Sequence, residues 1–90
     1  MKNQDKIKKI RKQIDDYDDQ ILGLLLERFK LSKKIGIIKN ESGITITDPE
    51  REDQIIDRLY DLFGDKLDRE DIASIFAPVY QVSKKHQIKK

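Results

Sequence analysis

The stretch LLLERFKLSKKIGIIK, residues 24–39, decides the fold because it carries a seven-residue apolar repeat through the middle of the chain. Around it, apolar residues recur in two registers spaced three and four residues apart, a pattern typical of a helix that pairs with another helix. One register holds Ile7, Ile14, Ile21 and Ile35, and the other holds Ile10, Tyr17, Leu24, Leu31 and Ile38. Position 28 belongs to the first register, yet it is an arginine. The repeat predicts one helix from about Asp5 to about Asn40, ~50 Å long at 1.5 Å per residue.

A second helix begins in the sequence DPERE, residues 48–52. Asp48 is a favourable N-cap, Pro49 suits the first helical position, and acidic residues in the first turn complement the helix dipole. Apolar residues at helical spacing continue to about Phe63, where Gly64 predicts the end of the helix.

A third helix is predicted from Asp68, another acidic N-cap, to about Gln87. Pro78 lies inside it and is expected to remove one backbone hydrogen bond and bend the helix. The sequence therefore predicts an all-α fold with three helices, one of them very long. The long helix exceeds what the other fifty residues can cover, which favours a partner chain.

The composition supports a single domain over residues 1–90. Charged residues make up 40% of the chain and hydrophobic residues 37%, which suits long helices with narrow apolar stripes. The N-terminal segment has no apolar core and no run reaches the ~20 apolar residues of a membrane span, so we expect a cytoplasmic protein with no membrane partner. The net charge of +2 is small and no aromatic residues interleave with the basic ends, which argues against nucleic acid. The basic residues of segment 84–90 are predicted to be solvated.

Polar residues replace apolar ones on the inner faces of all three helices, which is the pattern of a polar pocket inside a helical bundle. The set comprises Arg28, Lys39, Asp48, Arg51, Glu52, Ser83 and Gln87. Several cations with neutral hydrogen bonders suit a small dianion that also carries hydroxyl and ether oxygens. The sequence offers no nucleophile–base pair, metal-ligand cluster or glycine-rich phosphate loop. An enzyme built from these residues would clamp its substrate and stabilise charge.

Each member of the set also has a simpler interpretation. A lone arginine in a heptad seam often fixes register or partner choice, so Arg28 need not bind a ligand. Asp48 is explained as an N-cap, and Lys39 as a cation near a helix C-terminus. Arg51 and Glu52 are explained as a solvated first turn, and Ser83 and Gln87 as a fraying helix end. Only the combination favours the pocket.

The combination resembles the all-helical class of chorismate mutases. The matching elements are IRKQIDDYDDQILGLLLERFKLSKKIGIIK (residues 10–39), DPERE (48–52) and SKKHQ (83–87). The resemblance implies an intertwined helical homodimer that rearranges chorismate to prephenate, in phenylalanine and tyrosine biosynthesis, without a cofactor. Family members often associate with another shikimate-pathway enzyme, and the resemblance extends that option to this chain.

The resemblance also implies roles for individual residues at the reacting end of the substrate. Arg28 would pair with the enolpyruvyl carboxylate. Lys39 would contact that carboxylate and the ether oxygen whose bond breaks, and Gln87 would donate to the same ether oxygen.

The remaining roles concern the ring. The resemblance implies that Arg11 reaches from the other protomer to the ring carboxylate, with Ser83 beside it. Glu52 would hold the ring hydroxyl, and Asp48 and Arg51 would shape that end. Arg11 lies seventeen residues before the arginine of the seam. That is ~25 Å along one helix, so one small molecule contacts both only if two chains contribute.

Two other functions stay open on the sequence. One is isochorismate–pyruvate lyase of the same fold, which uses a similar cationic pocket; Glu52, suited to chorismate's ring hydroxyl, favours the mutase. The other is a non-catalytic, regulatory helical dimer, against which a buried Arg28 argues because a scaffold gains nothing from it.

Overall fold

The computed structural model describes residues 2–88 and contains three helices, with no strand among those residues. They are α1 (Lys2–Ser42), α2 (Pro49–Phe63) and α3 (Arg69–Ile88). The predicted all-α class and number of helices are confirmed.

Helix α1 extends slightly beyond its predicted bounds at both ends. Its C-terminus is set by Gly43, whose φ of 71° lies in the left-handed region that glycine adopts without strain. The N–H of Ile44 then donates to the carbonyl oxygen of Lys39 at 2.8 Å, which satisfies one of the last carbonyls of the helix.

Helix α2 begins as the sequence predicts. The Oδ1 atom of Asp48 accepts a hydrogen bond of 3.0 Å from the backbone N–H of Arg51, and Pro49 occupies the first turn. The helix ends at Phe63, and the N–H of Gly64 donates to the carbonyl oxygen of Tyr60 at 2.8 Å. Asp48 therefore acts as the N-cap.

Helix α3 packs against both other helices and runs through Pro78 as one element. Pro78 supplies no N–H to the carbonyl of Ser74, four residues earlier. Helix α3 approaches α1 tightly at Gly36, where an added Cβ would lie 2.5 Å from both the Cα and the carbonyl oxygen of Gln87. The two backbones therefore touch, and this contact sets the end of α3 beside the last turns of α1.

The chain is elongated, with extents of 61 × 30 × 16 Å. Its radius of gyration is 17.2 Å, against about 12 Å for a compact domain of this length. Among residues 2–88 the buried hydrophobic side chains are Phe29, Ile55, Ile56 and Ile72. By contrast, the apolar seam residues between Ile7 and Leu24 are 48–71% exposed. The N-terminal half of α1 thus extends past α3, the helix that packs on it.

Within residues 2–88, no helix combines the length and apolar character that crossing a membrane requires.

Candidate active site

A cavity of about 400 Å³ opens between the C-terminal half of α1, the first turns of α2 and the last turns of α3. Its volume is in the range of small-molecule sites. The seven pocket residues predicted from the inner helix faces all line it: Arg28, Lys39, Asp48, Arg51, Glu52, Ser83 and Gln87. Its apolar wall includes Leu31, Ile35, Ile46 and Ile55. The structure therefore brings these seven residues together around one cavity, and their roles stay predictions.

Arg28 leaves the helix seam and reaches across to α3. Its Nη1 donates to the Oγ of Ser83 at 2.8 Å, and its guanidinium carbon lies 5.9 Å from the centre of the Tyr80 ring. Ser83 is only 6% exposed, so the hydrogen bond is partly shielded from water. A guanidinium carries five N–H donors and this bond uses one, which leaves a planar fork available for a carboxylate.

Lys39 is half-buried and lines the cavity from α1, about three turns after Arg28 on the same helix. Its Nζ donates to the carbonyl oxygen of Ile46 at 3.3 Å, which ties the loop between α1 and α2 to the cavity. An ammonium group has three donors, so Lys39 can hold this loop and still engage a ligand.

Glu52 is held by two contacts from α3. Its Oε2 lies 3.2 Å from the Nζ of Lys84, and its carbonyl oxygen accepts a hydrogen bond of 3.3 Å from the Tyr80 hydroxyl. Burial raises the pKa of Tyr80 above its usual value, an effect that the nearby Arg28 charge partly opposes. The phenol therefore stays protonated across neutral pH and keeps its role as a donor.

Gln87 brings a side-chain amide into the cavity from the last turn of α3. Its Oε1 is buried and has no hydrogen-bond partner among residues 2–88. An unpaired buried amide oxygen is unfavourable. The amide is therefore a group whose hydrogen bonding is incomplete in a single chain without ligand.

Arg11 is the one predicted site residue outside the cavity. It is exposed on the uncovered half of α1, ~25 Å along the helix from Arg28. This position is incompatible with a contact to the cavity of the same chain. Its assigned role across a dimer stays a prediction.

Sequence reasoning missed three polar cavity residues, Ser32, Tyr80 and Lys84. The prediction that the basic residues of segment 84–90 are solvated holds only in part for Lys84, whose side chain is 38% exposed and paired with Glu52; Lys89 and Lys90 lie outside the described residues. The available signal was the spacing of four residues between Tyr80 and Lys84, which places both on one face of α3.

Comparison with known proteins gives a consistent result. The family model described as "Chorismate mutase type II" matches residues 10–88. The chain is 51% identical over 55 residues to a "Chorismate mutase" of Methanocaldococcus jannaschii, covering 61% of this chain and 56% of that protein. It is 35% identical over 79 residues to a "Bifunctional chorismate mutase/prephenate dehydratase" of Aquifex aeolicus, covering 83% of this chain and 22% of that protein. The chain thus spans about half of the first relative and about a fifth of the second. No solved structure matches significantly.

Proposed function

The chain belongs to the type II chorismate mutase family, and on that premise we propose that it rearranges chorismate to prephenate in aromatic amino acid biosynthesis. The observation that carries the proposal is the convergence of seven polar residues from three helices on one cavity. The cations among them suit the two carboxylates of the substrate.

The reaction explains why the site needs no nucleophile or proton-transfer group. In this pericyclic step the ether C–O bond breaks while a C–C bond forms within one molecule. The protein must hold the substrate in its folded reactive shape and stabilise the negative charge that builds on the ether oxygen.

Arg28 and Lys39 meet the first requirement by holding the enolpyruvyl end of the substrate. The guanidinium fork of Arg28 binds the carboxylate in two places, and Ser83 fixes the fork by its 2.8 Å hydrogen bond. The Lys39 ammonium, anchored on the carbonyl of Ile46, meets the same carboxylate.

Lys39 and Gln87 meet the second requirement by stabilising the negative charge on the ether oxygen. Both reach the cavity wall from facing helices, and each offers an N–H to the ether oxygen. Donors already in place stabilise developing charge without reorganising in the transition state.

The ring end uses Glu52 as acceptor for the ring hydroxyl. Asp48 and Arg51 support it by forming the first turn of α2, through the 3.0 Å N-cap bond. Ser83 and Arg11 complete the ring-carboxylate site, the latter from a second chain.

We propose that the functional unit is a homodimer. The exposed apolar stripe of α1 is continuous with the cavity, because Leu31 and Ile35 belong to the seam and also line the cavity. A second copy seated on this stripe would cover apolar surface, close the cavity and bring Arg11 to it.

We also propose that residues 1–90 act as one domain in the cytoplasm. Association with another shikimate-pathway enzyme is a further proposal. Its support is the relative from Aquifex aeolicus, in which a similar region belongs to a bifunctional protein.

The test is incubation of the purified protein with chorismate, following the loss of its ultraviolet absorbance and identifying the product. We expect prephenate, and we expect Arg28→Ala to abolish turnover while the protein remains helical. A folded dimer that leaves chorismate unchanged would contradict the proposal. Turnover of isochorismate to salicylate and pyruvate would then identify the lyase. Inertness to both substrates, with no thermal stabilisation by a bicyclic transition-state analogue, would identify a regulatory dimer.

A further inference from the structure

Lys84 is a cavity residue whose ion pair needs an explanation. Its Nζ lies 3.2 Å from the Oε2 of Glu52, and the two side chains are 38% and 29% exposed. Ion pairs with this much solvent contact add little to stability, because they lose side-chain entropy and are screened. The pair lines the site, which suggests a role there and not in holding the fold.

Glu52 is restrained from α3 at two points. The Tyr80 hydroxyl donates to its backbone carbonyl at 3.3 Å, and Lys84, one turn later on the same helix, meets its carboxylate. The first contact fixes the backbone of α2, and the second fixes the end of a flexible side chain. Lys84 takes Oε2, so Oε1 is left as an acceptor.

The Lys84–Glu52 pair also affects the net charge of the cavity. Glu52 presents a carboxylate to a cavity that, on the proposed function, receives a substrate with two carboxylates of its own. Like charges at close range disfavour binding. The Lys84 ammonium offsets the charge of Glu52 and keeps its carboxylate compatible with a dianionic ligand.

We propose that Lys84 is a positioning residue that fixes the Glu52 carboxylate as the acceptor for the substrate's ring hydroxyl. This rests on the proposed function of the site. Lys84 acts through Glu52, so its contribution to substrate binding disappears when Glu52 is absent. A lysine that bound the substrate directly would contribute with or without Glu52.

The experiment measures steady-state kinetics with chorismate for Lys84→Met, Lys84→Arg and the control Lys85→Met. Lys85 is the neighbouring lysine, which is exposed and lies outside the cavity. Methionine keeps the length of the stem and removes the charge. We expect Lys84→Met to raise KM about tenfold with kcat within about threefold, Lys84→Arg to restore most of the loss, and Lys85→Met to match the wild type.

The second part is a double-mutant cycle with Glu52→Ala. In that background we expect Lys84→Met to change kcat/KM by less than about twofold. An equal loss in both backgrounds would overturn the positioning role in favour of direct substrate contact. If Lys84→Met fails to fold, Lys84→Gln takes its place in the cycle.

The two proposals fail in different ways. A wild type that does not convert chorismate removes the proposed function and this inference together. A wild type that converts it, with Lys84→Met indistinguishable from Lys85→Met, removes this inference alone.

Discussion

Arg28 occupies an apolar seam because its guanidinium ends in a cavity and not at the helix interface. The Ser83 hydroxyl and the Tyr80 ring compensate part of its lost hydration. Its remaining N–H donors line the cavity, and on the proposed function a substrate carboxylate binds them. At the scale of single residues, the site is therefore built around charges that a ligand completes.

Lys39→Ala should lower kcat/KM for chorismate by at least about a hundredfold, because one donor to the developing charge is lost. We expect circular dichroism and thermal melting to change little, since the removed bond to the carbonyl of Ile46 is a single contact at the edge of the cavity. Near-normal turnover would contradict the role of Lys39 at the ether oxygen.

The proposed role of Gln87 as a neutral hydrogen-bond donor predicts how activity depends on pH. Its amide donates without titrating, so kcat should be flat between about pH 6 and 9. Gln87→Glu should restrict activity to acidic pH, because a carboxyl with a pKa near 4.3 must be protonated to donate. The measurement is a pH–rate profile of both proteins; a steep acidic rise in the wild type would argue against the assignment.

The polar residues differ in how visible they are in the sequence. Arg28 interrupts a seven-residue repeat and is conspicuous for that reason. Lys84 stands among other charged residues, so no contrast marks it, and its role appears only when α3 is placed against Glu52. A periodic pattern identifies residues that break it, but not charged residues that two helices bring together.

The approach of α1 and α3 at Gly36 is the decisive feature at the scale of elements. Gly36→Ala would place a Cβ 2.5 Å from the backbone of Gln87, so α3 must shift. We expect the free energy of unfolding to fall by about 1–3 kcal/mol, as for other overpacked sites. Turnover should fall as well, because Gln87 and Ser83 move together.

Gly23→Ala is the matched control, since an added Cβ there meets nothing within 4 Å in the chain and position 23 lies off both registers of the seam. It should leave activity unchanged and raise stability by up to about 1 kcal/mol. Urea denaturation and chorismate turnover measure both variants. Equal stability and equal turnover of the two variants would show that the contact at Gly36 does not position α3.

Helix types and starts were predictable because the apolar spacing and the Asp48-Pro49 cap act locally. The C-terminus of α1 was less predictable, because it is set by the left-handed backbone conformation of Gly43. The close approach of α3 to Gly36 could not be predicted from the sequence, because it depends on how two distant segments pack.

The whole molecule is proposed to build each site from two chains, and complementation tests this directly. Arg11→Ala and Arg28→Ala should each be nearly inactive alone. In a mixed dimer, one cavity holds both arginines intact and the other holds neither. Refolding an equal mixture should restore about a quarter of wild-type activity, assuming random pairing.

The control is an equal mixture of Arg28→Ala with Lys39→Ala, whose defects lie in the same cavity wall of their own chains. No mixed dimer of these two has an intact site, so no activity should return. Absence of recovery in the Arg11–Arg28 mixture would contradict the contribution of Arg11 across chains.

In the proposed dimer, the uncovered half of α1 would link the amount of protein to its activity. The missing contacts of its small buried core would come from a second copy, so the number of working sites would depend on how often chains meet. Below the dissociation constant, activity follows the square of the chain concentration, and doubling synthesis gives about fourfold flux. Expression level would then act as a nonlinear control on the pathway, without any effector molecule.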